Sequence, residues 1–393
     1  MTTNLKINPR SYVLTLVGYM TLTITMPIIS DIAESLNLSI NQIQLGISLL
    51  FLTFSISAIS LASASDIFGT KTVLKYAQLI SIIGLIIAGS SYNYLSLLIG
   101  FVLVGLGTGC YSSISRAILS RYANDENHMK RSFAILSACV ILAPIIASFL
   151  AQAVAIISWR DVFYLTAFIE IMLFLYMLPI LKFDALNATK LAKKEVFSGF
   201  KHIFSKWQFN INVLLVALIF SVYLGVMMEN LHPLFTKEMH MDLKLYNIIF
   251  LLTSVCYLLG IFLYRKYAHV ASKKRYRILS LILCILAVIY ITFTNHSQIN
   301  AAIALLFLCF VMGFIVPLST GSAMASIFKG HGAAAATLTF TTSVVMSIWS
   351  FIQAHLTLSY FNFILLALWV TFMLVAILKV MLLINYKKHI TTR

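Results

Sequence analysis

The sequence predicts an all-α membrane protein with twelve transmembrane helices arranged in two six-helix halves. Twelve apolar runs fill almost the whole chain of 393 residues, and each supplies the roughly 20 helical residues that a bilayer crossing needs. Hydrophobic residues make up 61% of the chain and charged residues only 10%, whereas soluble domains contain about 25% charged residues. The runs are continuous rather than alternating over about ten residues, which favours helices over a β-barrel.

The first predicted span, 11–30, contains no charged residue. No small-residue cleavage site closes it, so we expect it to remain as the first helix and not to be removed as a signal peptide. The longest polar stretch between spans is 182–207. The remaining eleven spans are predicted at 43–64, 73–91, 95–118, 132–157, 162–181, 208–228, 246–264, 278–295, 299–324, 333–357 and 361–384.

Basic residues are distributed unevenly along the chain. With the N-terminus placed in the cytoplasm, the inner loops and both tails contain 24 of the 28 Lys and Arg residues, Arg116 being counted among them. Cytoplasmic loops of membrane proteins carry this excess, so the pattern predicts that both termini are cytoplasmic. It also explains the formal charge of +16 without a nucleic-acid partner, and the lipid bilayer is the expected partner. The five cysteines all fall within predicted helices and indicate neither a disulfide framework nor a metal site.

The chain divides at its polar centre. Six spans in 1–181 precede a basic cytoplasmic linker, 182–207, and six spans follow in 208–393. Within the linker, 193–207 either forms an amphipathic helix on the inner leaflet or is a solvated connection. Two halves joined in this way are typical of transporters in which the halves move about a central site.

Several short segments occur in an order and spacing that are typical of one transporter family. Residues 27–48 read PIISDIAESLNLSINQIQLGIS, and 65–71 read SDIFGTK, which retains Asp66, Gly69 and Lys71 of a motif between helices two and three. The other segments are 105–107, 115–117, 142–144, 159–163, 313–317 and 332–336. Over most of its length the chain therefore resembles the Bcr/CflA multidrug efflux group of the major facilitator superfamily.

This resemblance implies the major facilitator fold and a secondary active transporter that works by alternating access. It further implies efflux of a small organic molecule, a drug or an endogenous metabolite, across the inner (cytoplasmic) membrane by proton antiport. We expect a monomer without a cofactor. A siderophore or metabolite importer or exporter of narrow specificity is the alternative. A polytopic membrane enzyme is a distant alternative, because the sequence has no His-Glu-x-x-His, Gly-x-Ser-x-Gly or Walker motif.

The chain departs from the family at positions that concern proton coupling. Phe101 occupies the position of an arginine in helix four, and Ala151-Gln152 replaces a glycine pair in helix five. Because Phe101 carries no charge, a proton-driven mechanism requires an acidic residue elsewhere. Glu170 is the acid predicted to lie deepest in the bilayer, and Glu229 and Asp31 are predicted to lie at outer helix ends.

These acidic residues each have two interpretations. A charge at the bilayer centre costs roughly 2.5–3.5 kcal/mol on insertion scales, so Glu170 needs a partner or a proton. It is either a neutral acid that is hydrogen-bonded to a neighbouring helix or a proton-binding site. Glu229 and Asp31 are either solvated helix ends or parts of an acidic outer mouth that favours cationic substrates.

A second group of residues is expected to control conformation. Asp66 is predicted to meet the opening turn of helix eleven after Gly332, where unpaired backbone N–H groups favour a carboxylate. With Arg116 nearby, this contact is expected to hold the cytoplasmic side closed. Prolines within spans favour kinks, which act either as hinges or in static packing. The candidate gating set is Asp66, Gly69, Lys71, Arg116, Pro144, Pro317 and Gly332.

Hydroxyl and aromatic side chains are the expected substrate contacts. They fall on helices one, four, seven and ten, which line the cavity in the superfamily that this chain resembles. Such side chains suit amphipathic organic molecules, and an ordinary interhelical hydrogen bond is the alternative for each. The candidates are Thr21, Thr25, Tyr111, Ser112, Ser221, Tyr223, Ser319 and Thr320.

Overall fold

The computed structural model is helical apart from short turns throughout the part of the chain that it describes. It describes residues 4–121, 126–181, 193–267, 298–324 and 331–391, with six isolated positions between 282 and 292. The predicted all-α membrane fold is confirmed. The helices are α1 (Asn4–Thr23), α2 (Ile29–Ser35), α3 (Ile40–Phe68), α4 (Thr70–Gly89), α5 (Tyr94–Thr108), α6 (Cys110–Arg121), α7 (Glu126–Ala155), α8 (Trp159–Leu181), α9 (Lys193–Phe204), α10 (Trp207–Ser221), α11 (Met228–Pro233), α12 (Leu243–Tyr267), α13 (Gln298–Met324), α14 (His331–His355) and α15 (Tyr360–Thr391).

Among the described residues, eleven helical stretches are long and apolar enough to cross a bilayer. They correspond to eleven of the twelve predicted spans. The ninth predicted span, 278–295, lies outside the described residues apart from the isolated positions. The eleven stretches are Pro9–Ser35, Ile40–Phe68, Thr70–Gly89, Tyr94–Leu119, Ile135–Ala155, Trp159–Leu178, Trp207–Glu238, Lys244–Tyr264, Gln298–Val316, Ala333–His355 and Tyr360–Leu378.

The helices group into two compact units. The first contains residues 1–205 together with 327–355, and the second contains 206–326 together with 356–393. Helix α14 therefore packs with the first unit, although it follows the predicted linker in the sequence. The functional division of the chain into 1–181, 182–207 and 208–393 stays a prediction.

In the first unit, α3 packs along both α5 and α14. Near the start of α3, two buried serines of α14 donate their hydroxyl groups to backbone carbonyl oxygens of α3. Ser350 bonds to the carbonyl of Gln44 at 3.1 Å, and Ser347 bonds to the carbonyl of Ser48 at 2.8 Å. Because both serine side chains are short and bond directly to the backbone of α3, the two helices lie close together at this end of α3.

Residues at each end of α3 determine where this helix begins and where it ends. Ser39 begins the helix through a capping box, in which the Gln42 side chain accepts a hydrogen bond from the Ser39 N–H at 2.9 Å. Gly69 ends the helix with a φ of 94°, which glycine adopts without steric cost, and α4 begins at the next residue. Asp66 therefore lies in the last turn of α3 and not in a loop as predicted, because the connection is so short.

The fourth span is divided into α5 and α6 at Gly109. A side chain at this position is excluded, because its Cβ would overlap the carbonyl oxygen of Phe54 on α3. The two helices still make one stretch for a membrane crossing, Tyr94–Leu119. Arg116 lies inside that stretch, so it does not belong with the loop residues among which the count of basic residues placed it.

The seventh span is longer than predicted. It covers Trp207–Glu238 and contains two π-helical segments, Val222–Met227 and Leu234–Glu238, on either side of α11. Such segments occur frequently at functional sites, and the second follows Pro233, which has no N–H to donate to an earlier carbonyl. The predicted end at 228 is wrong, because apolar sequence resumes after Glu229 and Asn230.

The remaining predictions about helices concern prolines and the linker. Helix α7 continues through Pro144 and α13 continues through Pro317, so the hinge role of both residues stays a prediction.

The second part of the linker forms α9, which packs against α3 and α14 with Ile203 buried. The predicted helix in this part of the linker is confirmed, and its position on the inner leaflet stays a prediction. Residues 182–192 of the linker lie outside the described residues.

Candidate functional site

A buried carboxyl group joins four helices of the first unit. Glu170 of α8 is 0% exposed, and hydroxyls from three other helices lie within hydrogen-bond distance of it. Its Oε1 lies 3.1 Å from Oγ1 of Thr21 on α1 and 3.4 Å from Oγ of Ser81 on α4. Its Oε2 lies 3.1 Å from Oη of Tyr111 on α6. One ionisable side chain therefore links α1, α4, α6 and α8.

The three hydroxyls can satisfy Glu170 with or without a proton. Each hydroxyl can donate to a carboxylate, and each can rotate so that its oxygen accepts from a neutral carboxylic acid. Burial without such partners would make either state costly. The arrangement can therefore hold a proton reversibly, with rotation of hydroxyl groups as the local response.

Close helix contacts position these side chains. A Cβ on Gly18 would approach the ring of Tyr111 to 2.9 Å, so the missing side chain lets α1 approach α6. Thr21 follows Gly18 by three residues and lies on the same side of α1. Thr21, Ser81 and Tyr111 are all buried, and their short or rigid side chains hold the hydroxyls in place around the carboxyl group.

The aromatic residue at the family's arginine position lies in an apolar cluster. Phe101 is buried, and its ring centroid lies 6.2 Å from that of Phe163 on α8. Phe163 in turn packs edge-on against Trp159, with ring centroids 6.0 Å apart. Phe101 therefore contributes to packing between helices and carries no charge. The ionisable residue of α8, Glu170, lies about two turns beyond Phe163.

A second polar cluster surrounds Arg116 near the end of α6. Its Nη1 donates to Oγ1 of Thr339 on α14 at 2.8 Å, and its guanidinium contacts the hydroxyl of Tyr19 on α1. Ser112, about one turn earlier on α6, faces the same tyrosine. Arg116 is half-buried, and the groups that contact it within the described residues are neutral.

Four of the predicted cavity residues lie in the first unit. Thr21 and Tyr111 contact Glu170, and Ser112 lies beside Tyr19. Thr25 is buried immediately before the 3-10 turn Met26–Ile28. An interhelical hydrogen bond thus accounts for Thr21 and Tyr111, and a contact of any of the four with substrate stays a prediction.

The second unit contains a different group of buried polar side chains. Glu229 is 1% exposed, so the interpretation of this residue as a solvated helix end is wrong, since the span continues beyond it. The rings of Tyr223 and Tyr257 lie 4.6 Å apart. Both hydroxyls are buried and have no hydrogen-bond partner within the described residues. This places an aromatic pair against the first π-helical segment.

Other predicted residues have more ordinary surroundings. The hydroxyl of Ser221 donates to the carbonyl of Leu218 at 3.1 Å, within its own helix. Thr320 is half-buried in α13, and the side chain of Ser319 lies outside what the structure describes. Asp31 is exposed on α2, as its interpretation as a helix-end residue predicts.

The predicted gating residues lie on α3, α4, α6 and α14. Asp66 is half-buried and Lys71 is exposed at the start of α4. Gly332 lies in the first turn of α14, and the docking of Asp66 on that turn stays a prediction. Arg116 does contact α14, at Thr339 about two turns beyond Gly332.

Sequence reasoning missed four residues of these clusters. Ser81 and Thr339 are single hydroxyls in apolar helices and gave no distinctive signal. Tyr19 lies two positions from Thr21 on the first span, and a search for polar residues beside each candidate would have included it. Tyr257 falls on the eighth span, which was not among the four expected to line a cavity.

Comparison with known proteins establishes the family. The family model described as Major Facilitator Superfamily matches residues 12–354, most of the chain. The chain is also 24% identical over 131 residues to Multidrug resistance protein D of Escherichia coli (strain K12). That similarity spans 33% of this chain and 33% of the relative, so only about a third of the relative's length is matched.

Two solved structures share the fold. The human organic anion transporter MFSD10 (TETRAN) superposes with a TM-score of 0.64 at 12% identity, covering 95% of this chain and 99% of that one. A partially occluded inward-open structure of the xylose transporter XylE from E. coli gives 0.68 at 13% identity, covering 96% and 97%. Because the family model matches residues 12–354, the chain belongs to the Major Facilitator Superfamily.

Proposed function

We propose that this secondary transporter exports a small organic molecule across the cytoplasmic membrane in exchange for protons, with Glu170 as the proton-binding residue. The buried carboxyl group with its three hydroxyl partners is the observation that supports proton exchange. The match to a multidrug resistance protein supports efflux. The two solved relatives carry organic anions and xylose according to their names, so the fold leaves the substrate open.

Coupling requires that the proton site and the transport pathway share moving parts. Glu170 is bonded to Thr21 on α1 and to Tyr111 on α6, and these helices belong to the first and fourth spans. A change of protonation alters which hydroxyls donate and which accept, and therefore alters the bonds that join α1 and α6 to α8. A difference in those bonds between two conformations is what allows a proton to shift the balance between them.

Transport is tested by comparing a deletion strain with its parent. We expect the deletion strain to retain at least one small organic compound, or to become sensitive to one, and the restored gene to reverse the effect. Everted membrane vesicles that contain the protein should accumulate that compound when the lumen is made acidic, because protons then leave as the compound enters, and should stop when a protonophore is added. Accumulation that is insensitive to the protonophore would contradict proton coupling, and reduced uptake by the deletion strain would indicate import.

The first structural prediction concerns topology. Because 23 of the 28 basic residues fall in the predicted inner loops and tails when Arg116 is left out, we expect both tails and α9 to be cytoplasmic. Reporter enzymes that are active only outside the cytoplasm should be inactive when fused at Lys194 or after Arg393. The same reporter inserted at Asn37, between α2 and α3, should be active. High activity at Lys194 would overturn the arrangement.

A second prediction concerns Asp66 at the end of α3. Asp66→Asn removes a negative charge with little change in size, so we expect transport to fall several-fold while the protein still folds and inserts. Crosslinking between the end of α3 and the start of α14 should decrease, because the proposed contact with the α14 N-terminus depends on charge. Asp161→Asn, in the first turn of α8, is the matched control. Unchanged transport and crosslinking would show that Asp66 has no gating role.

A further inference from the structure

The cluster around Arg116 has features that a helix-to-helix contact does not explain. Arg116 lies within the membrane-crossing stretch Tyr94–Leu119, where ionisable side chains are costly and usually functional. Within the described residues, its contacts are the hydroxyls of Thr339 and Tyr19, and no carboxylate contacts it. The positive charge is therefore solvated by neutral groups and lacks a balancing negative charge in this part of the chain.

The guanidinium has donors to spare. Arginine carries five N–H donors in a planar fork, of which one, on Nη1, bonds to Thr339 and another faces the hydroxyl of Tyr19. Thr339 is itself satisfied, because its hydroxyl donates to the carbonyl of Ala335 at 3.1 Å. A planar guanidinium recognises carboxylate and phosphate groups through two parallel hydrogen bonds, so the fork suits an acidic group.

Hydroxyls beside Arg116 also lack partners. Some buried hydroxyls of the first unit donate to a carbonyl one turn earlier, as Thr108 does to Val104 at 2.8 Å, whereas Ser112, Ser113 and Ser115 on α6 make no such bond within the described residues. Ser112 is 1% exposed and its hydroxyl has no such bond within the described residues. Burying an unpaired hydroxyl is unfavourable. Since Ser112 faces the hydroxyl of Tyr19, which contacts Arg116, two hydroxyls lie beside the positive charge and can rotate towards an acidic group.

We propose that Arg116, Tyr19 and Ser112 form the anchor for the acidic group of the transported molecule, and that the substrate is an organic anion. This inference rests on the proposed transport function and names its substrate class. The carboxylate, sulfonate or phosphate group accepts hydrogen bonds from the guanidinium fork and from the two hydroxyls. Thr339 on α14 accepts from Nη1 of the same guanidinium, so an anion that draws the guanidinium towards itself also alters the link between α6 and α14.

Acidic residues at an outer mouth would favour cationic substrates, whereas the cluster around Arg116 favours anionic ones. Asp31, which suggested that preference, is exposed on α2, and Glu229 is buried in the second unit. Within the described residues, Asp31 does not contact Arg116. The guanidinium charge would repel an organic cation in this cluster. A cation is therefore expected to bind more weakly than an anion of the same shape.

The test uses five probes that share one aromatic ring: 1-naphthylacetate, naphthalene-1-sulfonate, 1-naphthyl phosphate, 1-naphthylacetamide and 1-naphthylmethylamine. Binding to the purified full-length protein in lipid nanodiscs is measured by calorimetry and by the shift in thermal unfolding temperature. We expect at least one of the three anions to bind saturably and at least tenfold more tightly than both the amide and the amine. Arg116→Gln should weaken that binding at least tenfold, Arg116→Lys less, and Tyr19→Phe several-fold.

Arg160→Gln is the matched control, because Arg160 donates to Ser35 and Ser91 at the other end of the first unit and should leave anion affinity unchanged. If Arg116→Gln does not fold, Arg116→Lys and Tyr19→Phe decide the question. Anion affinity that is unchanged in these variants, equal or tighter binding of the amine, or no binding of any anion would overturn the proposal. Amine transport that does not depend on Arg116 would overturn the anion anchor but keep the proposed transport function. Anion binding that depends on Arg116 without any transport would keep the anchor and overturn the transport function.

Discussion

Glu170→Gln is expected to abolish the accumulation of substrate by an imposed pH gradient and to leave exchange of substrate across the membrane intact. Glutamine has the shape of glutamic acid, and its carbonyl oxygen accepts from Thr21 or Ser81 while its amide group donates to the oxygen of Tyr111. The hydrogen bonds are therefore retained, but no proton can be bound or released. In reconstituted vesicles, accumulation should fall to that of protein-free vesicles, and counterflow of labelled substrate should stay within about twofold of the parent.

Glu34→Gln provides the control for this experiment, because Glu34 is exposed on α2 and undergoes the same chemical change. It should accumulate substrate as the parent does. If Glu170→Gln also concentrates substrate normally, Glu170 is a structural hydrogen-bonding residue and its coupling role is wrong. Loss of both accumulation and counterflow, with an unchanged unfolding temperature, would place Glu170 in the transport pathway itself and would contradict a role confined to coupling.

The fold could be predicted from sequence because the bilayer imposes a strong length and composition requirement on each span. Eleven predicted spans correspond to helices that can cross a membrane. The end of the seventh span was predicted wrongly, because polar residues there interrupt the apolar sequence that a membrane span requires. Glu229 and Asn230 resemble the end of a helix in sequence, yet the span continues to Glu238, because both side chains are buried inside protein and are not exposed to lipid.

The candidate site was predictable only in part. Glu170 stood out because a carboxyl group in an apolar span is rare and costly, and Tyr111 and Thr21 were candidates through their helices. The pairing of these side chains depends on how α1, α6 and α8 pack, which no spacing in the sequence encodes. Tyr19 and Thr339 were missed for the same reason, since each gains significance only from its contact with Arg116.

The two polar clusters of the first unit share two helices. Helix α1 contributes Tyr19 to one and Thr21 to the other, and α6 contributes Arg116 to one and Tyr111 to the other. A movement of α6 relative to α1 therefore changes the surroundings of Glu170 and of Arg116 together. This gives a physical basis for coupling, because a proton at one cluster and an anion at the other would bias the same helix pair.

Covalent linkage of α3 to α14 is expected to stop transport completely. Ser347 of α14 bonds to the carbonyl of Ser48 on α3 at 2.8 Å, and Arg116 contacts Thr339 on the same α14. Alternating access requires elements of the two sequence halves to separate on one side of the membrane at a time, and α14 comes from the second half of the sequence. Cysteines at positions 48 and 347, joined by a short bifunctional thiol reagent, should therefore hold that end closed and reduce both accumulation and counterflow to background.

The experiment requires a background without the five native cysteines. Each single-cysteine protein treated with the same reagent should remain active, and cleavage of a reducible linker should restore transport to the crosslinked protein. A second pair, Ser90→Cys with Tyr164→Cys, is the matched control, because the hydroxyl oxygens of Ser90 and Tyr164 lie 2.9 Å apart and this contact joins the end of α4 to α8, both in the first half. That link should leave transport active, since the helices it joins move together. Transport that survives complete linkage of positions 48 and 347 would show that this contact between α3 and α14 persists through the whole transport cycle and is not a gate.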